Sequence, residues 1–90
     1  MLVEVYDFGN DAGDYYVVYR VKGLNEEEQK KLESKVEGTV EIKDGQLFIT
    51  THFEKKYFPF GSEAAKFRSD DFVAREEIEM TVYLTSLLED

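Results

Sequence analysis

The dipeptide Asp44-Gly45 lies between two apolar runs that match in a single register. An Asp-Gly pair favours the type I′ turn, because both central residues need positive φ and these two accept it cheaply. A two-residue turn there sets Lys43 opposite Gln46, Ile42 opposite Leu47 and Val40 opposite Ile49. Apolar side chains then meet on one face, while Thr39 and Glu41 meet Thr50 and Phe48 on the other. A one-residue slip would send every side chain to the wrong face. Turn chemistry and hydrophobic pattern therefore select the same β-hairpin.

A second hairpin is predicted upstream, pairing roughly Leu2–Phe8 with Tyr15–Lys22. Tyr15, Val17, Tyr19 and Val21 alternate with Tyr16, Val18, Arg20 and Lys22, and the first set is expected to face the core. The connection from Gly9 to Asp14 is rich in turn formers. Between the hairpins lies a helix. Asn25 can cap it, and Glu28 completes a capping box. Glu26, Glu27 and Glu28 occupy the first turn, where the helix dipole favours anions. Glu26–Lys30 and Glu27–Lys31 are favourable i,i+4 pairs, and Gly38 stops the helix near Val36. Its apolar stripe is narrow (Leu24, Leu32 and Val36), so it should lie on a sheet with most of its surface in water.

The last third of the chain supports two readings. Pro59 should end the strand that follows Asp44-Gly45, and Ser62 can cap a short helical turn through Lys66. Ile78 to Thr85 alternates with period two, which predicts a strand. A helix from Ser69 through Leu88 would instead gather Val73, Met80, Leu84 and Leu87 on one face, with Glu76 and Glu77 intruding. The strand is preferred. The expected fold is α+β, a single domain over residues 1–90. A mostly antiparallel sheet of four or five strands carries one main helix (25–37) on a face. The order is β-β-α-β-β, then a C-terminal strand or helix.

Composition narrows the function classes. The 90 residues contain no cysteine and one histidine, His52, which excludes disulfides, thiolate metal sites and a histidine-rich metal site within one chain. The start has no basic and apolar leader pattern, and no apolar run reaches membrane-span length. A cytoplasmic protein is the expectation. Scarce Asn, Gln and Cys beside abundant Glu and Lys lean towards a heat-adapted source. Twenty acids face eleven bases, for a net charge of -9, and the excess sits at the two ends. Residues 1–14 hold four acids and no base, and residues 70–90 hold seven acids and Arg75 alone. Such a field repels phosphate backbones and attracts cations and basic proteins.

Three segments are candidate sites. Asp70, Asp71, Glu76, Glu77 and Glu79 crowd ten residues and form the leading candidate for a partner-binding face. The plain alternative is a solvated surface. Lys55, Lys56, Tyr57, Phe58 and Phe60 join cations to aromatic rings and could form a secondary contact surface, though closing the core is the preferred role. Asp7, Asn10, Asp11 and Asp14 offer hard oxygen ligands suited to calcium. The EF-hand pattern fails, because its twelfth position would be Val18, and turn chemistry explains the loop without a metal. His52 has no nucleophile or orienting group nearby in sequence and reads as an exposed strand residue. The expected function is non-catalytic and needs no cofactor: binding of a basic protein, with inhibition by nucleic-acid mimicry as one concrete form. Direct nucleic-acid and membrane binding are not expected. Calcium binding in the 7–14 loop, or a small ligand-binding domain, is the alternative. A homodimer formed through a strand edge is compatible with each.

Overall fold

The computed structural model describes residues 1–11, 14–53 and 63–89, with side chains for 1–9, 16–52 and 72–89. Four strands form one antiparallel sheet: β1 (Leu2–Asp11), β2 (Asp14–Lys22), β3 (Thr39–Lys43) and β4 (Gln46–Phe53). Helix α1 (Glu26–Lys35) joins β2 to β3, and helix α2 (Glu63–Glu89) follows β4. The strand order is β1-β2-β4-β3, so the two hairpins meet along β2 and β4, and β1 and β3 form the edges.

The hairpin at Asp44-Gly45 has the register its turn dictates, from Lys43 opposite Gln46 to Thr39 opposite Thr50. Asp44 and Gly45 adopt φ of 54° and 74°, as a type I′ turn requires. The predicted capping box also forms. The Asn25 side chain accepts from the Glu28 amide at 2.7 Å, and the Glu28 carboxylate accepts from the Asn25 amide at 3.0 Å. At the other end Val36 is already extended, and Gly38 turns the chain with φ of 118°. A Cβ at Gly38 would lie 3.1 Å from the Thr50 carbonyl, so glycine is needed for space as well as torsion.

One face of the sheet is covered by both helices. Val3, Val17, Tyr19, Val21, Leu47 and Ile49 point into this layer, where they meet Leu24, Leu32 and Val36 from the α1 region. Phe72 and Leu84 close it from α2. Burying a side chain such as Leu32 or Leu84 contributes roughly 1.5–3 kcal/mol. Gln29, the buried polar residue of α1, is satisfied by donating to the carbonyls of Leu24 and Gly45, both at 3.1 Å.

Three expectations need correction. Residues 78–85 are helical, so among the described residues the sheet has four strands and no fifth. The period-two alternation is a coincidence of composition. The helix sends Met80 and Leu84 inward, while Ile78 and Val82 stay 65% exposed. A strand would put all four on one face. Second, the helix over 25–37 is not the main one. It spans 10 residues against 27 in α2. Third, the short helical turn expected after Ser62 is the start of α2, which runs unbroken from Glu63 to Glu89. Ser62 itself lies outside the described residues.

Strand β1 is longer than expected and carries an irregularity. Val5 pairs with Tyr19, but the next pairing is Asp7 with Val18, leaving Tyr6 as an inserted residue. The bulge changes the phase of the strand. The Tyr6 ring stays on the uncovered face with Glu4 and meets Phe48 edge-on with centroids 5.3 Å apart, while the bulge brings Asp7, opposite Val18, to that same face.

Candidate functional site

The acids of α2 divide according to their angle around the helix. Buried residues Phe72 and Leu84, with half-buried Val73, Met80, Tyr83 and Leu87, mark the inward stripe. Glu76 and Glu77 flank that stripe and turn to internal partners. The Glu76 carboxylate accepts from the Tyr19 hydroxyl at 2.8 Å. Tyr19 is 1% exposed, and burial first, then the hydrogen bond to Glu76, pushes its phenol well above the ordinary tyrosine range. The Glu77 carboxylate accepts from the Val5 amide at 2.8 Å. That amide lies on the edge strand, so a helix carboxylate closes a donor that the sheet leaves open. Glu79 and Arg75 point to solvent. Asp70 and Asp71 fall in α2, with side chains outside the described set. Of the five acids expected to form a partner face, Glu79 is thus the one with an exposed, described side chain.

Within the 7–14 segment the described residues are strand, and Ala12 and Gly13 lie outside the described residues. Asp7, Asn10 and Asp11 belong to β1, and Asp14 opens β2 opposite Asp11, with the side chains of Asn10, Asp11 and Asp14 outside the described set. Four strand residues put Asp7 about 13 Å from Asp11. Asp7 accepts from the Phe8 amide at 2.9 Å and the Tyr16 hydroxyl at 3.3 Å. Among the described residues no three acids or histidines are grouped to hold a metal ion. His52 is exposed on β4, opposite Tyr16. Lys55, Lys56, Tyr57, Phe58 and Phe60 lie outside the described residues.

The uncovered sheet face holds a cluster that sequence reading assembled only in part. Glu4, Arg20, Phe48 and Glu41 form a row across the four strands. Arg20 donates through Nη2 to Glu4 Oε2 at 2.7 Å, and its guanidinium lies 5.1 Å from the Tyr6 ring centre. Lys22 approaches the other Glu4 oxygen at 3.8 Å. Beside this row, Tyr6, Phe48, Thr39, Thr50 and the Glu41–Lys43 rim border a shallow cleft of about 270 Å³. The Glu41–Phe48 pairing is readable from the turn, and Tyr6 shares the face of Glu4 by alternation, but the arrival of Asp7 on that face depends on the bulge.

The hydrogen bond from Arg20 holds the Glu4 carboxyl below the ordinary glutamate value, with Lys22 adding to it. A lowered folded-state value means that Glu4 contributes stability above the unfolded carboxyl's pKa and loses it as pH falls. In an NMR carboxyl titration Glu4 should titrate below the ordinary glutamate value, and Arg20→Ala should raise its midpoint. An unchanged midpoint in that variant would contradict the pairing.

These observations describe a small α+β domain with one helix-covered and one open sheet face, and without a grouped metal site among the described residues. No described helix is long and apolar enough to cross a membrane. The chain belongs to a family of unknown function (DUF5750), whose profile matches residues 2–90. It matches no curated protein.

Proposed function

We propose that the protein is a non-catalytic interaction module that receives a basic protein on its helical side. The supporting observation is the segregation of charge. Among the described residues of 25–37 and 72–89, six exposed acids (Glu26, Glu27, Glu33, Glu37, Glu79 and Glu89) stand against exposed Lys30, Lys35 and Arg75. Lys35 and Lys31 are further engaged, donating to the carbonyls of Leu87 and Leu88 at 3.3 and 2.8 Å. The open sheet face is balanced, with Glu4, Asp7 and Glu41 against Arg20, Lys22 and Lys43. The acidity therefore has a side. Spaced carboxylates on two helices resemble a row of phosphates in charge, and an inhibitor occupying a nucleic-acid groove is the specific form favoured. A cytoplasmic setting, where such grooves are abundant, belongs to the same reading.

Capture experiments with immobilised protein should retain a basic partner at 50 mM salt. Retention should fall by at least about tenfold at 500 mM, as screening removes the attraction. Glu79→Lys combined with Glu33→Lys should weaken capture without loss of stability. Equal retention at both salt concentrations, or full binding by the double variant, refutes the reading. Glu76 and Glu77 are unsuitable for this test, because their internal bonds would confuse binding with folding.

A further inference from the structure

Among the described residues an exposed apolar strip lies where α2 passes the β1 edge. Ile78 and Val82 are each 65% exposed, and Met1 and Leu2 flank them across a shallow groove of about 480 Å³. We propose that this strip of α2 is a homodimer seam, packing antiparallel against α2 of a second copy of the chain.

Three observations select this occupant. The first is spacing. Ala74, Ile78, Thr81 and Thr85 recur at intervals of four, three and four residues, with Val82 beside them. That is the pattern of a shallow helix–helix crossing, and the small side chains permit close approach.

The second is the state of the polar groups. Thr81 donates its hydroxyl to the Glu77 carbonyl and Thr85 to the Thr81 carbonyl, both at 2.7 Å. Their hydroxyls are already satisfied within the helix, so covering the seam strands no donor. An added strand from a partner is disfavoured at this edge, because Glu77 already takes the Val5 amide.

The third is charge. The five seam residues carry no charge, and Glu77, which borders the groove, has its carboxylate turned to the Val5 amide, although the molecule carries -9. Arg75 and Glu89 are exposed at opposite ends of the strip. Antiparallel pairing about a two-fold near Val82 sets Arg75 of each copy beside Glu89 of the other. Parallel pairing would set Arg75 against Arg75. The exposed helix from 74 to 89 is about 24 Å long at 1.5 Å per residue. Its footprint is smaller than the roughly 800 Å² per partner of a tight complex, so the dimer is reversible and concentration-dependent.

Sedimentation of the purified chain should show monomer near 1 µM and growing dimer at about 100 µM and above, a range set by the small interface. Arg75→Glu should weaken the dimer at least about tenfold, and adding Glu89→Arg should restore it. The absence of cysteine makes a cross-linking test clean. Val82→Cys, next to the two-fold, should form a disulfide-linked dimer under mild oxidation, and Ala74→Cys should not. A chain that stays monomeric at every concentration overturns the proposal, even if a basic protein binds the strip. So do equal cross-linking at both positions and failure of the charge swap to restore the dimer.

Discussion

Leu84→Ala should lower the stability of the protein by about 2–5 kcal/mol, whereas Val82→Ala should change it by less than about 0.5 kcal/mol. Leu84 is fully buried among the core side chains, and Val82 is 65% exposed. Truncating Leu84 removes its transfer free energy and leaves a cavity under the sheet. Truncating Val82 removes an exposed β-branched side chain from a helix, where alanine is the better helix former. Urea unfolding at a few micromolar, below the expected dimer range, measures both. The contrast separates the two readings of this segment. On a strand, residues 82 and 84 share one face and should respond alike. Comparable losses in the two variants would argue for that strand.

Glu76→Ala should cost about 1–3 kcal/mol, because it removes the carboxylate that accepts from the buried Tyr19 hydroxyl. Glu76→Gln, which keeps an acceptor, should cost less. The same pair has a pH signature. Burial, reinforced by Glu76, raises the Tyr19 phenol in the folded state. The unfolded chain releases that proton near pH 10, its ordinary value, while the folded chain holds it. The unfolded state then binds fewer protons, so stability is whole below about pH 10 and falls above it. The slope approaches about 1.4 kcal/mol per pH unit from this one group. Thermal unfolding between pH 9 and 11.5 should show the decline in the native protein and a shallower one in Tyr19→Phe. Parallel declines would remove Tyr19 from the account.

What the sequence made legible was local. The turn at Asp44-Gly45 and the box at Asn25 and Glu28 are closed by residues two or three positions apart, and both form as read. The C-terminal helix was obscured for the opposite reason. Glu76 and Glu77 seemed to spoil its apolar stripe, yet their partners are Tyr19 and Val5, 57 and 72 residues away. No local pattern reveals that an acid on a helix will be satisfied by a distant phenol or strand amide. The chance alternation of Ile78, Met80, Val82 and Leu84 then tipped the balance to a strand. The same blindness affected the site. Charge density marked Asp70–Glu79 correctly as acidic, but could not separate Glu79, which faces solvent, from the two glutamates that face inward. The Tyr6 bulge likewise depends on how β1 meets β2.

The bond between Glu77 and the Val5 amide joins the first strand to the last helix. During synthesis the whole sheet leaves the ribosome before α2, the second of the two helices that cover it. Until residue 77 emerges, β1 carries an open amide on a bare edge, and the Tyr19 hydroxyl has no acceptor from α2. The nascent chain therefore reaches its final third without the α2 contacts that close β1 and Tyr19. Folding is completed late, and arrest or truncation before α2 should yield a chain prone to aggregate through β1.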